Sequence, residues 1–85
     1  MKLRPSNAAE FQKSFGRVIR RHRMALGLSQ EALAEKCDLH RTYISLLERG
    51  VKSASLKVIF ALGAALGRSP HTLVKEAEIF DAKRL

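Results

Sequence analysis

The segment at residues 30–49, QEALAEKCDLHRTYISLLER, constrains the fold more than any other part of the chain. Ser29, directly before it, is a favourable N-cap, and the apolar residues Leu33 and Cys37 recur at helical spacing. The break comes at Asp38, because Asp tolerates the left-handed backbone that ends many helices. The segment therefore predicts two short helices joined by a sharp turn.

The second helix of this unit is predicted to run from about Arg41 to Glu48 and to stop at Gly50. On a helical wheel Ile44 and Leu47 fall together and define a buried side. The opposite side is suited to the edges of DNA bases, since Arg forks onto guanine, Thr and Ser bond several bases, and an aliphatic side chain touches the thymine methyl. The residues predicted to read bases are Arg41, Thr42, Ser45 and Leu46.

This unit resembles the helix-turn-helix of the Xre/Cro-type, lambda-repressor-like DNA-binding domains. The resemblance is carried by LGLSQEALA, RTYISLLERG and a later ALG, and it extends from about Phe15 to Val74. Asp38 stands where the family usually has Gly, and His40 stands where it usually has a better N-cap. The reading helix, RTYIS, is also similar to that of restriction–modification controller proteins. The family's apolar positions are met at Leu33, Cys37, Leu39, Ile44 and Leu47.

The resemblance implies an all-α fold, a compact five-helix lambda-repressor-like bundle in which residues 1–85 form a single domain. It also implies a sequence-specific transcription regulator that binds double-stranded DNA as a homodimer on two half-sites, as a controller or a phage-type repressor. In the family an Arg of the first helix pairs with a Glu near the end of the reading helix, which implies an ion pair between Arg23 and Glu48. The residues expected to hold phosphates are Gln30, Arg23, Tyr43, Arg49 and Lys52, with rim packing as the equal alternative for Tyr43.

The composition agrees with a partner that carries negative charge. The chain has 16 Lys and Arg against 8 Asp and Glu, a formal net charge of +8, and its 85 residues suffice for one domain. A merely soluble basic protein is the alternative interpretation of this charge. Cys37 is the single cysteine, no apolar run is long enough for a membrane span, and the N-terminus has no export signal. We therefore expect a cytoplasmic, nucleoid-associated protein.

No catalytic or metal-binding pattern stands out in the sequence. His22, His40 and His71 are scattered and have no metal spacing with Cys37, and no Gly-rich phosphate loop follows a strand. We therefore expect no enzyme activity, no metal, no cofactor and no small-molecule ligand. His22 lies on the apolar stripe of the first helix and is expected to be partly buried and hydrogen-bonded.

Three further helices are predicted around the central unit. The first begins after a cap at Ser6 or Asn7 and continues to about Leu26, and the last begins at Pro70. The fourth helix covers residues 56–66, and its wide apolar face predicts central burial. That face consists of Leu56, Ile59, Phe60, Gly63 and Leu66.

The two ends of the chain leave alternatives open. Residues 1–5 are either a loose arm that contacts the DNA backbone or a disordered start. Residues 70–85 hold more apolar side chains than a small core accommodates, so they are predicted to form a dimer interface through Leu73, Ile79 and Phe80. The alternative is a tail that folds back on its own core. The rival function is a protein-interaction module, or an antitoxin, that uses the same fold to bind a protein partner.

Overall fold

The structure, a computed structural model, describes the backbone of residues 8–83 and the side chains of residues 8–80. Within this part of the chain there are five helices and no strand, so the predicted all-α class is confirmed. The arm at residues 1–5, the caps Ser6 and Asn7, and the end of the predicted dimer segment lie outside the described residues. The helices are α1 (Ala8–Ala25), α2 (Gln30–Cys37), α3 (Arg41–Glu48), α4 (Leu56–Leu66) and α5 (Pro70–Lys83).

The helix ends follow the local signals in the sequence. The hydroxyl of Ser29 accepts a hydrogen bond from the backbone N–H of Ala32 at 3.0 Å, which caps α2. The hydroxyl of Ser55 caps α4 in the same way, at 3.2 Å from the N–H of Val58. Asp38 has a φ of 56°, so the left-handed turn predicted between α2 and α3 is present.

The core lies where α1 crosses the other helices. Leu39, in the turn between α2 and α3, packs against this core as an apolar plug. A fully buried aliphatic side chain contributes about 1.5–3 kcal/mol relative to an exposed one, so this cluster is the main source of stability. Its fully or nearly fully buried members include Phe15, Val18, Ile19, Leu33, Ile44, Leu47, Leu62, Leu66, Leu73 and Ala77.

Gly16 is the point of closest approach between α1 and the end of α3. A Cβ at this position would lie 2.6 Å from the carbonyl oxygen of Glu48 and in even closer contact with that of Leu47. The amide of Gln12 donates to the carbonyl oxygen of Gly50 at 2.8 Å, next to this crossing. The missing side chain of Gly16 therefore permits the packing that fixes α3 on α1.

The buried side of α4 differs from the prediction. Leu56 is 85% exposed and Phe60 is 69% exposed, so their predicted central burial is wrong. The side that faces the core carries Leu62 and Leu66, and Ile59 is half-buried at its edge. The sequence LKVIFALGAAL is apolar around most of the helix, so the pattern alone does not define one face.

The position of Leu73 corrects the predicted dimer interface. Its side chain is fully buried within the core, together with Ala77 from the next turn, and it has no surface to offer a second copy. Ile79 is 42% exposed, whereas Phe80 is half-buried and lies under the guanidinium of Arg17. The described part of α5 therefore folds back on its own core along one side.

Candidate nucleic-acid interface

The orientation of α3 is the one predicted from its sequence. Ile44 and Leu47 are fully buried, and they anchor the helix against α1 and α2. Arg41 and Thr42 are exposed at the N-terminal end of the helix. The predicted readers Ser45 and Leu46 are half-buried one turn further on, so the four predicted base-reading residues all retain some accessible surface.

The predicted ion pair between Arg23 and Glu48 is present. The Nε of Arg23 lies 2.6 Å from Oε2 of Glu48, and the Nη2 lies 3.0 Å from Oε1. The hydrogen bond to the carboxylate raises the pKa of Arg23, and the negative charge of Glu48 acts in the same direction against the effect of burial. The pair therefore joins α1 to the C-terminal end of α3.

The geometry of Arg23 does not fit the phosphate contact expected of it. Besides the two bonds to Glu48, its Nη1 donates to the carbonyl oxygen of Leu28 at 2.8 Å. Only 11% of the Arg23 side chain and 3% of the Glu48 side chain are exposed. Arg23 is therefore a structural residue that fixes the loop before α2 and the end of α3.

Gln30, the first residue of α2, belongs to the same network. Its amide nitrogen donates to Oε1 of Glu48 at 3.0 Å. Since an amide group has two N–H donors, one remains for a phosphate after this bond is made. Glu48 thus positions the predicted phosphate ligand Gln30 beside the reading helix.

Tyr43 adopts the rim packing that was the alternative to a phosphate contact. Its hydroxyl donates to the carbonyl oxygen of Ser53 at 2.8 Å, and a phenol has a single proton to donate. Burial raises the pKa of Tyr43, which keeps that proton in place. Tyr43 therefore holds the loop after α3 and is not available as a donor to phosphate.

The loop after α3 carries exposed positive charge beside the reading helix. The backbone N–H groups of Val51 and Lys52 donate to the carbonyl oxygen of Leu46 at 2.9 and 3.3 Å, which folds the loop back on the helix. Arg49 and Lys52 are both exposed, as expected of phosphate ligands. The one acidic residue of α3, Glu48, is neutralised by Arg23, so the exposed charges of α3 and of the loop after it are positive.

His40 also lies on this face, and the sequence predicted no role for it beyond that of a weak N-cap. It is the N-cap of α3, and its Nδ1 accepts a hydrogen bond from the backbone N–H of Thr42 at 3.2 Å. The only signal in the sequence was an imidazole at a position that usually holds a short polar side chain.

Cys37 and His22, the candidate groups for metal binding or catalysis, are both hydrogen-bonded within the fold. The thiol of Cys37 is buried and donates to the carbonyl oxygen of Ala61 at 3.7 Å, and burial raises its pKa. His22 is partly buried, and its Nε2 lies 2.6 Å from Oε1 of Glu76. Both its partial burial and its hydrogen bond were predicted from the sequence. Among residues 8–80, no cluster of three metal-ligating side chains is found. No described helix is long and apolar enough to cross a bilayer.

Comparison with known proteins agrees with this geometry. A family model described as "Helix-turn-helix" matches residues 19–73. The control protein C.BamHI of Bacillus amyloliquefaciens is 48% identical over 61 residues, which cover 71% of this chain and 75% of that protein. The restriction-modification controller protein C.AhdI from Aeromonas hydrophila has a TM-score of 0.71 at 42% identity, over 73% of this chain and 94% of that one. The clp gene regulator ClgR from Corynebacterium glutamicum has a TM-score of 0.83 at 30% identity, over 87% and 79%.

Proposed function

Because this chain belongs to the helix-turn-helix family and is a DNA-binding transcription regulator, we propose that it recognises a specific duplex sequence with α3 in the major groove. The observation that carries this proposal is the division of α3 into an exposed polar side and a buried apolar side. Arg41 and Thr42 are exposed at one end, while Ile44 and Leu47 are buried behind them. A helix clamped from behind presents its polar side chains in a fixed geometry, as base readout requires.

The contacts divide into two groups with different consequences. Base edges are read by Arg41, Thr42 and Ser45, with Leu46 against a thymine methyl. Phosphates are held by Gln30, Arg49 and Lys52, which set the register of the protein without carrying sequence information. Arg23 and Tyr43 support these groups from behind through Glu48 and Ser53.

The regulator acts as a homodimer whose interface is the exposed apolar surface at the start of α4. We define this apolar patch as Leu56 and Phe60, exposed large hydrophobic residues that lie one helical turn apart on α4. Exposed apolar clusters mark interaction surfaces, and a second copy supplies an identical cluster across a twofold axis. Binding to two half-sites one turn of DNA apart would require the two copies of α3 to lie about 34–36 Å from each other.

Ile79 and Phe80 form the alternative dimer interface predicted from the sequence. One face of the Phe80 ring is already covered by Arg17, whose guanidinium carbon lies 5.7 Å from the ring centroid. Ile79 is less exposed than either Leu56 or Phe60. These differences favour the apolar patch on α4 over the end of α5.

The biological role that best fits is control of restriction–modification genes. The identity to C.BamHI and the likeness to C.AhdI support this role over that of a phage-type repressor or an antitoxin. In this role the protein works on the nucleoid in the cytoplasm as a regulator and not as an enzyme. Genes for a restriction endonuclease and a methyltransferase beside the coding sequence are the expected genomic context.

The test is selection of binding sites from a random pool of duplexes by the intact protein. We expect one motif with two related half-sites, and an affinity that falls steeply with salt because each neutralised phosphate contributes about 0.9 to the logarithmic slope. Failure to enrich any motif, together with a flat salt response, would overturn the proposal. That outcome would favour the rival function, a module that binds a protein partner.

A further inference from the structure

The imidazole of His40 caps α3, and the cap decides which ring nitrogen carries the proton of the neutral ring. The backbone of His40 has the extended conformation of an N-cap, with φ −78° and ψ 142°, and its Nδ1 accepts from the N–H of Thr42 at 3.2 Å. A ring nitrogen that accepts a hydrogen bond carries no proton. The neutral ring must therefore carry its proton on Nε2, so the cap turns Nε2 into a hydrogen-bond donor.

This donor is free and stands beside the predicted base-reading residues. His40 is exposed and lines a shallow cleft between α2 and α3 together with Arg41 and Thr42. Within residues 8–80, no group accepts a hydrogen bond from Nε2. The donor is attached to a ring whose orientation is held by the cap, so little side-chain entropy is lost when it makes a contact.

We propose that His40 is a base-reading residue, whose neutral imidazole donates Nε2–H to an acceptor on a base edge while Nδ1 caps α3. The acceptors available in the major groove are purine N7, guanine O6 and thymine O4. This assignment rests on the proposed function, because it needs α3 in the major groove. It adds a specificity-determining contact one residue before the helix begins.

A base contact fits this geometry better than a phosphate contact does. A phosphate would recruit the imidazolium, since a nearby negative charge favours the charged form. The imidazolium has no acceptor for the N–H of Thr42, and it would place a positive charge at the positive end of the helix dipole. The cap therefore requires the neutral ring, in which Nε2 carries the single proton that the contact uses.

The experiment compares wild-type protein with His40→Ser and His71→Ser on two probes, the duplex selected by the wild type and a random duplex of equal length. Serine keeps a cap for α3 but is too short to replace the Nε2 donor. We expect His40→Ser to bind the selected duplex about fivefold more weakly, the loss of one hydrogen bond. Its affinity for random duplex should be unchanged. His71→Ser removes an exposed imidazole on α5 and should behave as wild type.

Two results would overturn the inference. Unchanged affinity of His40→Ser for the selected duplex would leave His40 a cap only. Equal losses on both probes, with the helical circular dichroism of the wild type retained, would make it a phosphate contact. If Arg41→Ala weakens binding to the selected duplex while His40→Ser does not, this inference fails alone. If no duplex is selected, the proposed function fails with it.

Discussion

Arg23 on α1 and Glu48 on α3 form an ion pair with two hydrogen bonds, at 2.6 and 3.0 Å, although 25 positions separate them in the chain. Gln30 donates to the same carboxylate at 3.0 Å. One buried acid therefore joins three helices at the edge of the surface proposed to face DNA. Its removal would disturb both the stability of the fold and the alignment of that surface.

Glu48→Ala should lower the free energy of unfolding by about 3–5 kcal/mol, because it leaves the guanidinium of Arg23 nearly buried and unpaired. Urea denaturation followed by circular dichroism measures the change. The matched control is Glu35→Ala, which removes an exposed carboxylate from α2 and should cost less than about 1 kcal/mol. Similar effects of the two substitutions would show that the buried pair contributes little.

Arg41→Ala should weaken binding to the selected duplex by about 1–3 kcal/mol and relax base preference at one position, because a forked contact to a base is lost. The measurement is a fluorescence anisotropy titration on the selected duplex and on its single-base variants. Lys75→Ala removes an equal charge from the exposed side of α5 and serves as the control. If Arg41→Ala weakened binding to every sequence equally, Arg41 would belong with the phosphate ligands.

Lys52→Ala should weaken binding to all sequences by a similar factor and reduce the salt slope by about 0.9, since it removes one phosphate contact. Titrations at several salt concentrations, on selected and random duplex, give both quantities. A loss confined to the selected duplex, with an unchanged slope, would contradict the assignment of Lys52 to the backbone.

Phe60→Lys should convert the proposed dimer into a monomer, because it places a charge within the apolar patch on α4. Sedimentation velocity at increasing protein concentration measures the association. Ile79→Lys is the control, and it should leave association unchanged if α4 supplies the interface. Dissociation by Ile79→Lys alone would return the interface to the end of α5, and no association in the wild type would remove the homodimer altogether.

The pair between Glu76 on α5 and His22 on α1 predicts a loss of stability in acid. The hydrogen bond from His22 is the main cause that lowers the pKa of Glu76, and the positive charge of Arg21 acts in the same direction. A carboxylate whose folded-state pKa is depressed contributes stability above its ordinary pKa and loses that contribution as pH falls through the folded value.

We therefore expect the difference in unfolding free energy between wild type and Glu76→Gln to shrink as pH is lowered from about 6 to about 3. Urea denaturation at a series of pH values measures it. Glu35→Gln changes an exposed carboxylate and should show no comparable trend. A difference that grew towards acid pH would have the wrong sign for this account.

The central two-helix unit could be predicted almost completely from the sequence, because each of its signals is local. Ser29 caps α2, Asp38 takes the left-handed turn, and the spacing of Ile44 and Leu47 defines the buried side of α3. Each of these features depends on a few neighbouring residues. The bounds of α2, α3 and α4 were accordingly predicted as the structure has them.

The features that could not be predicted depend on which distant group each residue meets. The helix α4 is apolar on most of its surface, so its packing against α1, α2 and α5 decides that Leu56 and Phe60 stay exposed. The sequence predicts Tyr43 as a phosphate ligand but does not show that its hydroxyl donates a hydrogen bond to the carbonyl oxygen of Ser53. The need for glycine at position 16 likewise follows from a backbone crossing that no local pattern signals.

The hydrogen bond between Tyr43 and Ser53 ties the connection between α3 and α4 to α3. Lys52, proposed to hold phosphate, lies within this connection, and Leu56, proposed to meet the second subunit, is the first residue after it. The length of this connection would thus determine the spacing between half-sites to which a dimer can bind. A variant with one residue inserted in this connection should prefer a palindrome of altered spacing, while the base sequence of each half-site should stay the same.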